Sequence, residues 1–257
     1  MDINQPIGVF DSGLGGISVL REITALLPAE DYIFYGDSAN APYGVRPTEE
    51  IRQLTTVVFD KLIARGVKAI VIACNTASSA AGEALRKQYP EIPIIAIEPA
   101  LKPAVLSFPG GTVAVMATEA TLREKKFHRL MESYQGQARI LKLPCPGLPE
   151  FVERGELHSE KLRAFLQERF ASLGGAKLNG IILGCTHYPF VQPMIQEVAG
   201  KDVRIFDGAA GTARQLKRRL KARDWLKPEG SQGKITWLNS SDDPGFIERS
   251  RILYMMK

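Results

Sequence analysis

Apolar runs recur along the chain and alternate with amphipathic stretches of helical period. The strand-like runs cover residues 6–10, 32–35, 68–73, 92–97, 112–117, 139–143, 180–183 and 203–206. After the first run, Ile17, Leu20, Ile23 and Leu27 fall on one face of a helix. Because the strands are apolar throughout rather than alternating, they predict parallel sheets that are covered on both faces. The predicted fold class is therefore α/β.

A turn-rich break divides these runs into two groups. The segment "SFPGGT" at 107–112 interrupts the alternation shortly after "IEPALKP". We therefore predict two α/β lobes, each with a mainly parallel sheet flanked by helices. One comprises residues 1–98 completed by 209–257, and the other comprises residues 99–208. Since ligands of open α/β sheets bind beyond the carboxyl ends of the strands, the active site is expected in the cleft between the lobes.

The composition is that of an ordinary globular protein. Of 257 residues, 45% are hydrophobic and 24% are charged, and no apolar run approaches the roughly 18 residues of a membrane-spanning helix. The start, "MDINQPIGVF", has no basic region followed by an apolar stretch, so we expect a cytoplasmic location and no membrane partner. Three cysteines without CxxC spacing indicate reduced thiols, and Cys145, between prolines, is interpreted as structural.

The net charge of +5 is concentrated in one segment. Residues 212–228 contain seven Lys or Arg and one Asp, so this segment carries the whole surplus. Leu216, Leu220 and Trp225 would give a helix over this segment an inner face, with the basic side chains outside. A solvated helix face is the simpler interpretation, and a surface that binds nucleic acid or a partner protein is the alternative.

A glycine-rich turn, "FDSGLGG" (10–16), follows the first strand and opens the first helix. Its glycines permit a tight turn, and the N–H groups at the helix start predict a site for an anion such as a carboxylate. A dinucleotide fingerprint is the rival interpretation, with Asp37 at the end of the second strand. We favour the carboxylate, because Ser18 replaces the third glycine and Asp11 would lie close to the pyrophosphate.

Two cysteines stand at the ends of apolar strands. Cys74 lies in "ACNTAS" (73–78), where Thr76 or Ser78 would cap the next helix and the helix start would lower the thiol pKa. Cys185 lies in "GCTHYP" (184–189), with His187 able to exchange a proton with it if the loop curls. A single buried cysteine is more often a small packing residue. Two cysteines at matched strand ends indicate a shared role.

Three further segments place polar side chains near strand ends. "NAPYG" (40–44) is a loop on the same sheet edge as Asp11, before a helix that is predicted to begin at Thr48. "ATEAT" (117–121) carries Thr118 and Thr121, for which simple helix capping is the alternative role. Glu153, in "LPEFVERG", would ordinarily be a surface carboxylate on a short helix. Each segment alone is weak evidence for a site.

Two thiols on opposite faces of a substrate carbon suit a proton exchange. One would remove a proton as thiolate while the other donates a proton as thiol, with Asp11 and His187 setting the protonation states. Hydroxyls, an amide and helix N-termini would hold an acidic, zwitterionic substrate. A disulfide between Cys74 and Cys185 is the alternative, and reducing conditions argue against it.

Five segments carry a family resemblance through their order and spacing, namely "VFDSGLGG", "APYG", "ACNTAS", "ATEAT" and "LGCTHYP". Over about residues 6–208, the chain resembles the cofactor-independent aspartate/glutamate racemase superfamily. The resemblance implies two α/β lobes with the active site between them. It implies interconversion of L- and D-glutamate for bacterial peptidoglycan, without pyridoxal phosphate, another cofactor or metal. A homodimer is expected because the family is often dimeric, and DNA gyrase is a further partner that the basic segment would serve.

The resemblance also implies roles for individual residues. Cys74 and Cys185 are the acid/base pair, acting on the D- and the L-isomer respectively. Asp11 assists Cys74, His187 assists Cys185, and Glu153 matches a glutamate of the second-lobe loop that also assists Cys185. The substrate-binding positions are Asp11, Ser12, Pro42, Tyr43, Gly44, Cys74, Asn75, Thr76, Thr118, Thr121, Cys185, Thr186 and His187.

The sequence also departs from the family pattern. "EPALKPA" stands where the family often has Gly-Ala-Arg after Glu-Pro, and "GDSAN" replaces Asp-Thr-Ala-Arg, which affects hinge packing and local charge. Beyond about residue 215 the resemblance fades. Because the extra methylene of glutamate is worth only about 1–3 kcal/mol in a pocket, an aspartate racemase or related enzyme of the superfamily is the alternative.

Overall fold

The computed structural model describes residues 2–230 and 232–256, and its strands form two sheets. The strands are β1 (Ile7–Asp11), β2 (Tyr32–Gly36), β3 (Ala69–Ile72), β4 (Ile94–Ala96), β5 (Thr112–Ala117), β6 (Arg139–Pro144), β7 (Gly180–Leu183), β8 (Arg204–Asp207) and β9 (Ile235–Asn239). The first sheet has the order β4-β3-β1-β2-β9 and the second the order β6-β5-β7-β8. Neighbouring strands are parallel in both sheets.

Helices connect successive strands and cover the sheets. They are α1 (Ile17–Leu26), α2 (Thr48–Ile63), α3 (Asn75–Gln88), α4 (Leu101–Ser107), α5 (Glu119–Arg123), α6 (Lys125–Glu132), α7 (Leu148–Glu153), α8 (Glu160–Ala171), α9 (Gln192–Ala199), α10 (Ala209–Lys221) and α11 (Gly245–Met255). Every residue of β1, β3 and β7 is buried, as apolar central strands require. The predicted fold class, two parallel sheets flanked by helices, is confirmed.

The eight strands expected from the apolar runs are all present, with boundaries within two residues of those predicted. The ninth, β9, was missed. Its sequence "ITWLN" is only partly buried, because it forms the edge of the first sheet beside β2. An edge strand lacks the continuous apolar run that marks a central strand. The lobe boundaries at residues 98 and 208 stay a prediction.

The helix predicted over 212–228 is shorter and begins earlier. In α10, Leu216 and Leu220 are fully buried as expected, and α10 packs against α1. The helix ends at Lys221, and Asp224 then adopts a left-handed backbone with φ of 55°. Trp225 therefore lies beyond the helix, where its N–H donates to the carbonyl of Leu220 at 3.0 Å. The inner face of the helix was correctly predicted up to Leu220, and Trp225 was wrongly assigned to it.

A buried ion pair ties both ends of the chain to the first sheet. The ammonium of Lys68 lies 2.6 Å from a carboxylate oxygen of Glu30, and the two side chains are 0% and 2% exposed. Lys68 also donates to the carbonyls of Ile3 at 2.6 Å and Trp225 at 2.8 Å. The other oxygen of Glu30 accepts from the N–H of Lys227 at 2.9 Å. The pair thus anchors the segment that leads from α10 into β9.

Across residues 2–230 and 232–256, no helix combines the length and apolar character that crossing a membrane requires. The cytoplasmic location stays a prediction.

Candidate active site

The two cysteines singled out in the sequence line one cavity between the sheets. Cys74 follows the end of β3 and Cys185 follows the end of β7, and both open onto a cavity of about 510 Å³. Most of the predicted site residues line it, namely Ser12, Pro42, Tyr43, Gly44, Cys74, Asn75, Thr76, Thr118, Glu153, Cys185, Thr186 and His187. Asp11 and Thr121 are fully buried and lie behind the lining.

The glycine-rich turn binds the protein's own side chains. The N–H of Gly13 donates to Asp11 at 2.9 Å, that of Leu14 to Glu153 at 2.8 Å, and that of Gly15 lies 3.2 Å from Nε2 of His187. A β-carbon at Gly13 would overlap Glu153, and one at Gly15 would overlap His187. The predicted anion site therefore exists, but the carboxylate that it holds is that of Glu153.

Cys74 itself caps α3, which corrects the expectation that Thr76 or Ser78 would do so. Its sulfur accepts from the N–H of Ala77 at 3.4 Å and lies 3.3 Å from the hydroxyl of Ser12. Burial, and then the nearby carboxylate of Asp11, raise the pKa of the Cys74 thiol to about 12. The hydrogen bonds from Ser12 and Ala77 lower that pKa, but the larger effects outweigh them. The expected lowering of the thiol pKa is thus wrong, and Cys74 is a thiol at neutral pH.

The side chains of Cys185, His187 and Glu153 contact one another in that order. Its sulfur lies 3.7 Å from Nδ1 of His187, and Nε2 of the same ring lies 2.7 Å from a carboxylate oxygen of Glu153. Burial opposes a charge on the imidazole, yet the contacts with Cys185 and Glu153 hold the pKa of His187 well above its usual value. Burial likewise opposes a charge on Glu153, but the contact with His187 keeps its carboxyl pKa below the usual value. The raised pKa favours an imidazolium, in which Nε2 donates to Glu153 and Nδ1 faces the sulfur of Cys185.

Asp11 connects the two strand ends. One oxygen accepts from the N–H of Gly13, and the other accepts from the hydroxyl of Thr186 at 3.0 Å. Burial raises the pKa of the carboxyl, although the charge of His187 lowers it. Among the described residues, it is Ser12 rather than Asp11 that contacts the sulfur of Cys74 directly. Asp11 therefore acts on Cys74 through its charge and on the Cys185 loop through Thr186.

Hydroxyls and an amide at the starts of α3 and α5 lie at the cavity wall or directly behind it. The hydroxyl of Thr76 lies 3.0 Å from that of Thr118 and 3.2 Å from that of Thr121, so the two sheets meet through hydroxyls. Asn75 is 3% exposed, and neither its amide oxygen nor its amide nitrogen has a hydrogen-bond partner in the described part of the chain. An unpaired buried amide is costly unless a ligand satisfies it.

A short loop closes one side of the cavity. The hydroxyl of Tyr43 donates to Asp37 at 2.6 Å, and the amide of Asn40 lies 3.1 Å from both oxygens of the same carboxylate. Burial and this hydrogen bond raise the pKa of Tyr43. A β-carbon at Gly44 would approach that of Thr118 to 2.8 Å, so the loop packs closely on the end of β5. Asp37, weighed in the sequence only as a nucleotide ligand, instead fixes Tyr43.

The sequence did not predict that residues of the C-terminal helix α11 line the cavity. Phe246 and Arg249 of α11 line the cavity, as do Glu150 of α7 and the buried Cys145. The motifs end before residue 215, and nothing local in the sequence connects α11 with the distant strand ends. Only the packing of α11 on α1 and β9 brings it there.

In the part of the chain that the structure describes, no group of three or more His, Cys, Asp or Glu side chains is arranged to hold a metal ion.

Comparison with known proteins gives a consistent set of similarities. A family model described as Asp/Glu/Hydantoin racemase matches residues 7–216. A glutamate racemase of Clostridium perfringens (strain ATCC 13124) is 49% identical to this chain over 254 residues, which covers 99% of the chain and 98% of that protein. The similarity in sequence therefore continues through the chain end, past the region of the motifs.

Solved structures are similar over the same length. The crystal structure of glutamate racemase from Francisella tularensis in complex with D-glutamate has a TM-score of 0.85 at 28% identity, and covers 99% of this chain and 95% of that one. Escherichia coli glutamate racemase in complex with L-glutamate and the activator UDP-MurNAc-Ala has a TM-score of 0.83 at 26% identity, covering 97% and 95%.

Proposed function

The chain belongs to the Asp/Glu/hydantoin racemase family, and from that premise we propose that it interconverts L- and D-glutamate by a proton exchange between Cys74 and Cys185. The family resemblance and the assignment as an amino-acid racemase are confirmed. The observation that carries the proposed mechanism is the convergence of the two buried thiols, one from each sheet, on a single cavity.

The surroundings of the thiols support opposite roles for them. We assign the role of base toward the L-isomer to Cys185, because the ring of His187 lies beside its sulfur and can exchange a proton with it, whereas Cys74 retains its proton. With the L-isomer bound, the Cys185 thiolate takes the α-proton, and the Cα–H electron pair remains on carbon as a carbanion. The Cys74 thiol then donates its proton to the opposite face, which gives the D-isomer, a Cys185 thiol and a Cys74 thiolate. The D-isomer reacts by the reverse sequence.

An acidic, zwitterionic substrate suits the rest of the cavity. The unpaired amide of Asn75 offers both a donor and an acceptor, and the threonine hydroxyls offer further donors for a carboxylate. The solved relatives were obtained in complex with D-glutamate and with L-glutamate, which favours glutamate over aspartate for this chain. The aspartate alternative differs by one methylene and is decided by measurement.

The wider role follows from the reaction. We propose that the enzyme works without pyridoxal phosphate or metal, because the two thiols supply both proton transfers, and that its D-glutamate serves bacterial peptidoglycan synthesis. The homodimer stays a prediction from the family. Binding of DNA gyrase or nucleic acid through the basic residues of α10 also stays a prediction.

The test is a racemisation assay without added cofactor. Purified protein is incubated separately with L-glutamate, D-glutamate and L-aspartate, and the isomers are separated by chiral chromatography. We expect glutamate to racemise and aspartate to react much more slowly. Cys74→Ala and Cys185→Ala should each lower kcat by about 10²–10⁴-fold, the usual share of general acid–base catalysis. Cys145→Ala removes the third thiol, which is buried and donates to the carbonyl of Leu143, and should lower kcat far less than either of the other two changes. Full activity in either of the first two variants would contradict the mechanism.

A further inference from the structure

The C-terminal helix α11 brings a cation to the side of the cavity where Glu153 lies. Arg249 and Glu153 both line the cavity. Arg249 lies on α11, which follows β9 of the first sheet, and Glu153 lies on α7, which follows β6 of the second sheet. The placement of α11 is fixed by its packing on α1 and β9, and β9 is held in register by β2. Arg249 is therefore presented to the cavity by a helix that packs against α1 and β9.

The guanidinium of Arg249 is oriented but only weakly paired. It stacks 4.3 Å from the centre of the Phe246 ring, and one terminal nitrogen lies 3.3 Å from the carboxylate of Asp243. Its Nε is buried and has no hydrogen-bond partner among the described residues. A stacked guanidinium keeps its charge and has little freedom to turn away. A fixed positive charge thus faces the cavity.

Glu153 has a buried carboxylate oxygen that such a positive charge would stabilise. One of its oxygens accepts from the N–H of Leu14 and contacts His187, while the other oxygen is buried and has no hydrogen-bond partner in the described residues. Arg249 is the cation, besides His187, whose charge helps to hold the pKa of Glu153 down. Without it, only His187 and the backbone N–H of Leu14 would stabilise the buried carboxylate among the groups that lower its pKa.

We infer that Arg249 is a positioning residue for the proposed reaction, which keeps Glu153 ionised and thereby holds His187 in contact with Cys185. This inference rests on the proposed function. The charged groups around Glu153 are His187 and Asp11 at the strand ends, Glu150 and Arg154 beside it on and after α7, and Arg249 on α11. Arg154 is engaged elsewhere, with Glu156 at 2.7 Å and with the ring of Phe151.

The sign of the effect follows from the charges. Because a positive charge stabilises the carboxylate, loss of Arg249 raises the pKa of Glu153. Glu153 then becomes protonated at a higher pH than in the unsubstituted protein, and His187 loses its partner. The acid limb of the kcat/KM profile for glutamate racemisation should move to higher pH, with roughly a tenfold loss at pH values on that limb, a part of the usual acid–base contribution.

The experiment measures kcat/KM against pH for five variants, namely Arg249→Gln, Arg249→Lys, Arg251→Gln, Glu153→Gln and the double variant Glu153→Gln/Arg249→Gln. Arg249→Gln should shift the acid limb, and Arg249→Lys, which keeps the charge, should leave the limb in place. Arg251→Gln, the same change at an exposed position of the same helix, is the control and should match the unsubstituted protein. In a Glu153→Gln background, Arg249→Gln should have no further effect on the profile.

Three results would overturn the inference. An unshifted acid limb in Arg249→Gln would remove the electrostatic role. A rise in KM with an unchanged profile would mean that Arg249 contacts the substrate itself, and equal shifts in Arg249→Lys and Arg249→Gln would indicate packing. These results differ from failure of the proposed function, in which the unsubstituted protein would not racemise glutamate or would do so without Cys185.

Discussion

The two thiols of the cavity differ in the groups that surround them. Cys74 has a hydroxyl, a backbone N–H and a nearby buried carboxylate, and it remains protonated. Cys185 has an imidazole that is itself held by Glu153. These different surroundings support the proposed assignment of Cys74 as the acid and Cys185 as the base when the L-isomer is bound. Pairs of titratable groups with opposed surroundings are the usual arrangement for acid–base chemistry at neutral pH.

At the same scale, the glycines of the glycine-rich turn are expected to tolerate no side chain. Gly15→Ala should lower kcat/KM by about 10²-fold or more, because its β-carbon would overlap His187 and move the ring away from Cys185. Steady-state racemisation kinetics measure the loss. Gly211→Ala is the matched control, since an added β-carbon there meets only the far end of Arg214 at 4.0 Å. In helix α10 that change should stabilise the fold by about 0.5–1 kcal/mol and leave kinetics unaltered.

Among the elements, the segment from α10 to α11 depends on the buried Lys68–Glu30 pair. Lys68→Met should lower the free energy of unfolding by about 3–5 kcal/mol, because Glu30 would keep an uncompensated buried charge. Adding Glu30→Gln should recover part of that loss, since it removes the charge. The free energies of unfolding of the variants are compared by urea unfolding followed by circular dichroism. Exchange of the Cα hydrogen of glutamate with solvent then checks that the cavity is intact.

The exposed Lys87–Glu83 pair of α3 offers a matched control for that prediction. Its side chains are 77% and 73% exposed, so water already screens both charges. Lys87→Met should leave the urea midpoint unchanged. If Lys68→Met behaved in the same way as Lys87→Met, the buried pair would have no anchoring role for the chain end.

The elements that the sequence predicted well are those whose signal is local. Apolar runs located the eight strands from β1 to β8, and the period of Leu216 and Leu220 located the inner face of α10. The edge strand β9 and the end of α10 were not predicted. The partial burial of β9 and the left-handed backbone at Asp224 after α10 leave no apolar pattern in the sequence. The capping of α3 by Cys74 instead of a threonine is likewise a matter of local geometry that composition does not reveal.

At the scale of the whole molecule, the sequence predicted which residues belong to the candidate site better than it predicted how those residues contact one another. The motifs named the residues that line the cavity, because each motif sits at a strand end of a parallel sheet. They did not reveal that Glu153 occupies the anion site of the glycine-rich turn, or that α11 completes the wall. Both depend on how distant parts of the chain pack, over separations such as the 139 residues between Leu14 and Glu153.

In the proposed reaction, one cysteine removes the α-proton of glutamate and the other cysteine donates a different proton to the opposite face of the carbon. The most direct measurement is the early time course of glutamate in heavy water, starting from each isomer and following deuterium at Cα by mass spectrometry after chiral separation. Two bases should place solvent deuterium on the product while the remaining substrate keeps its hydrogen, and both Cys74→Ala and Cys185→Ala should slow racemisation by about 10²–10⁴-fold. Equal deuterium in substrate and product from the outset, or full racemisation by either variant, would contradict the account.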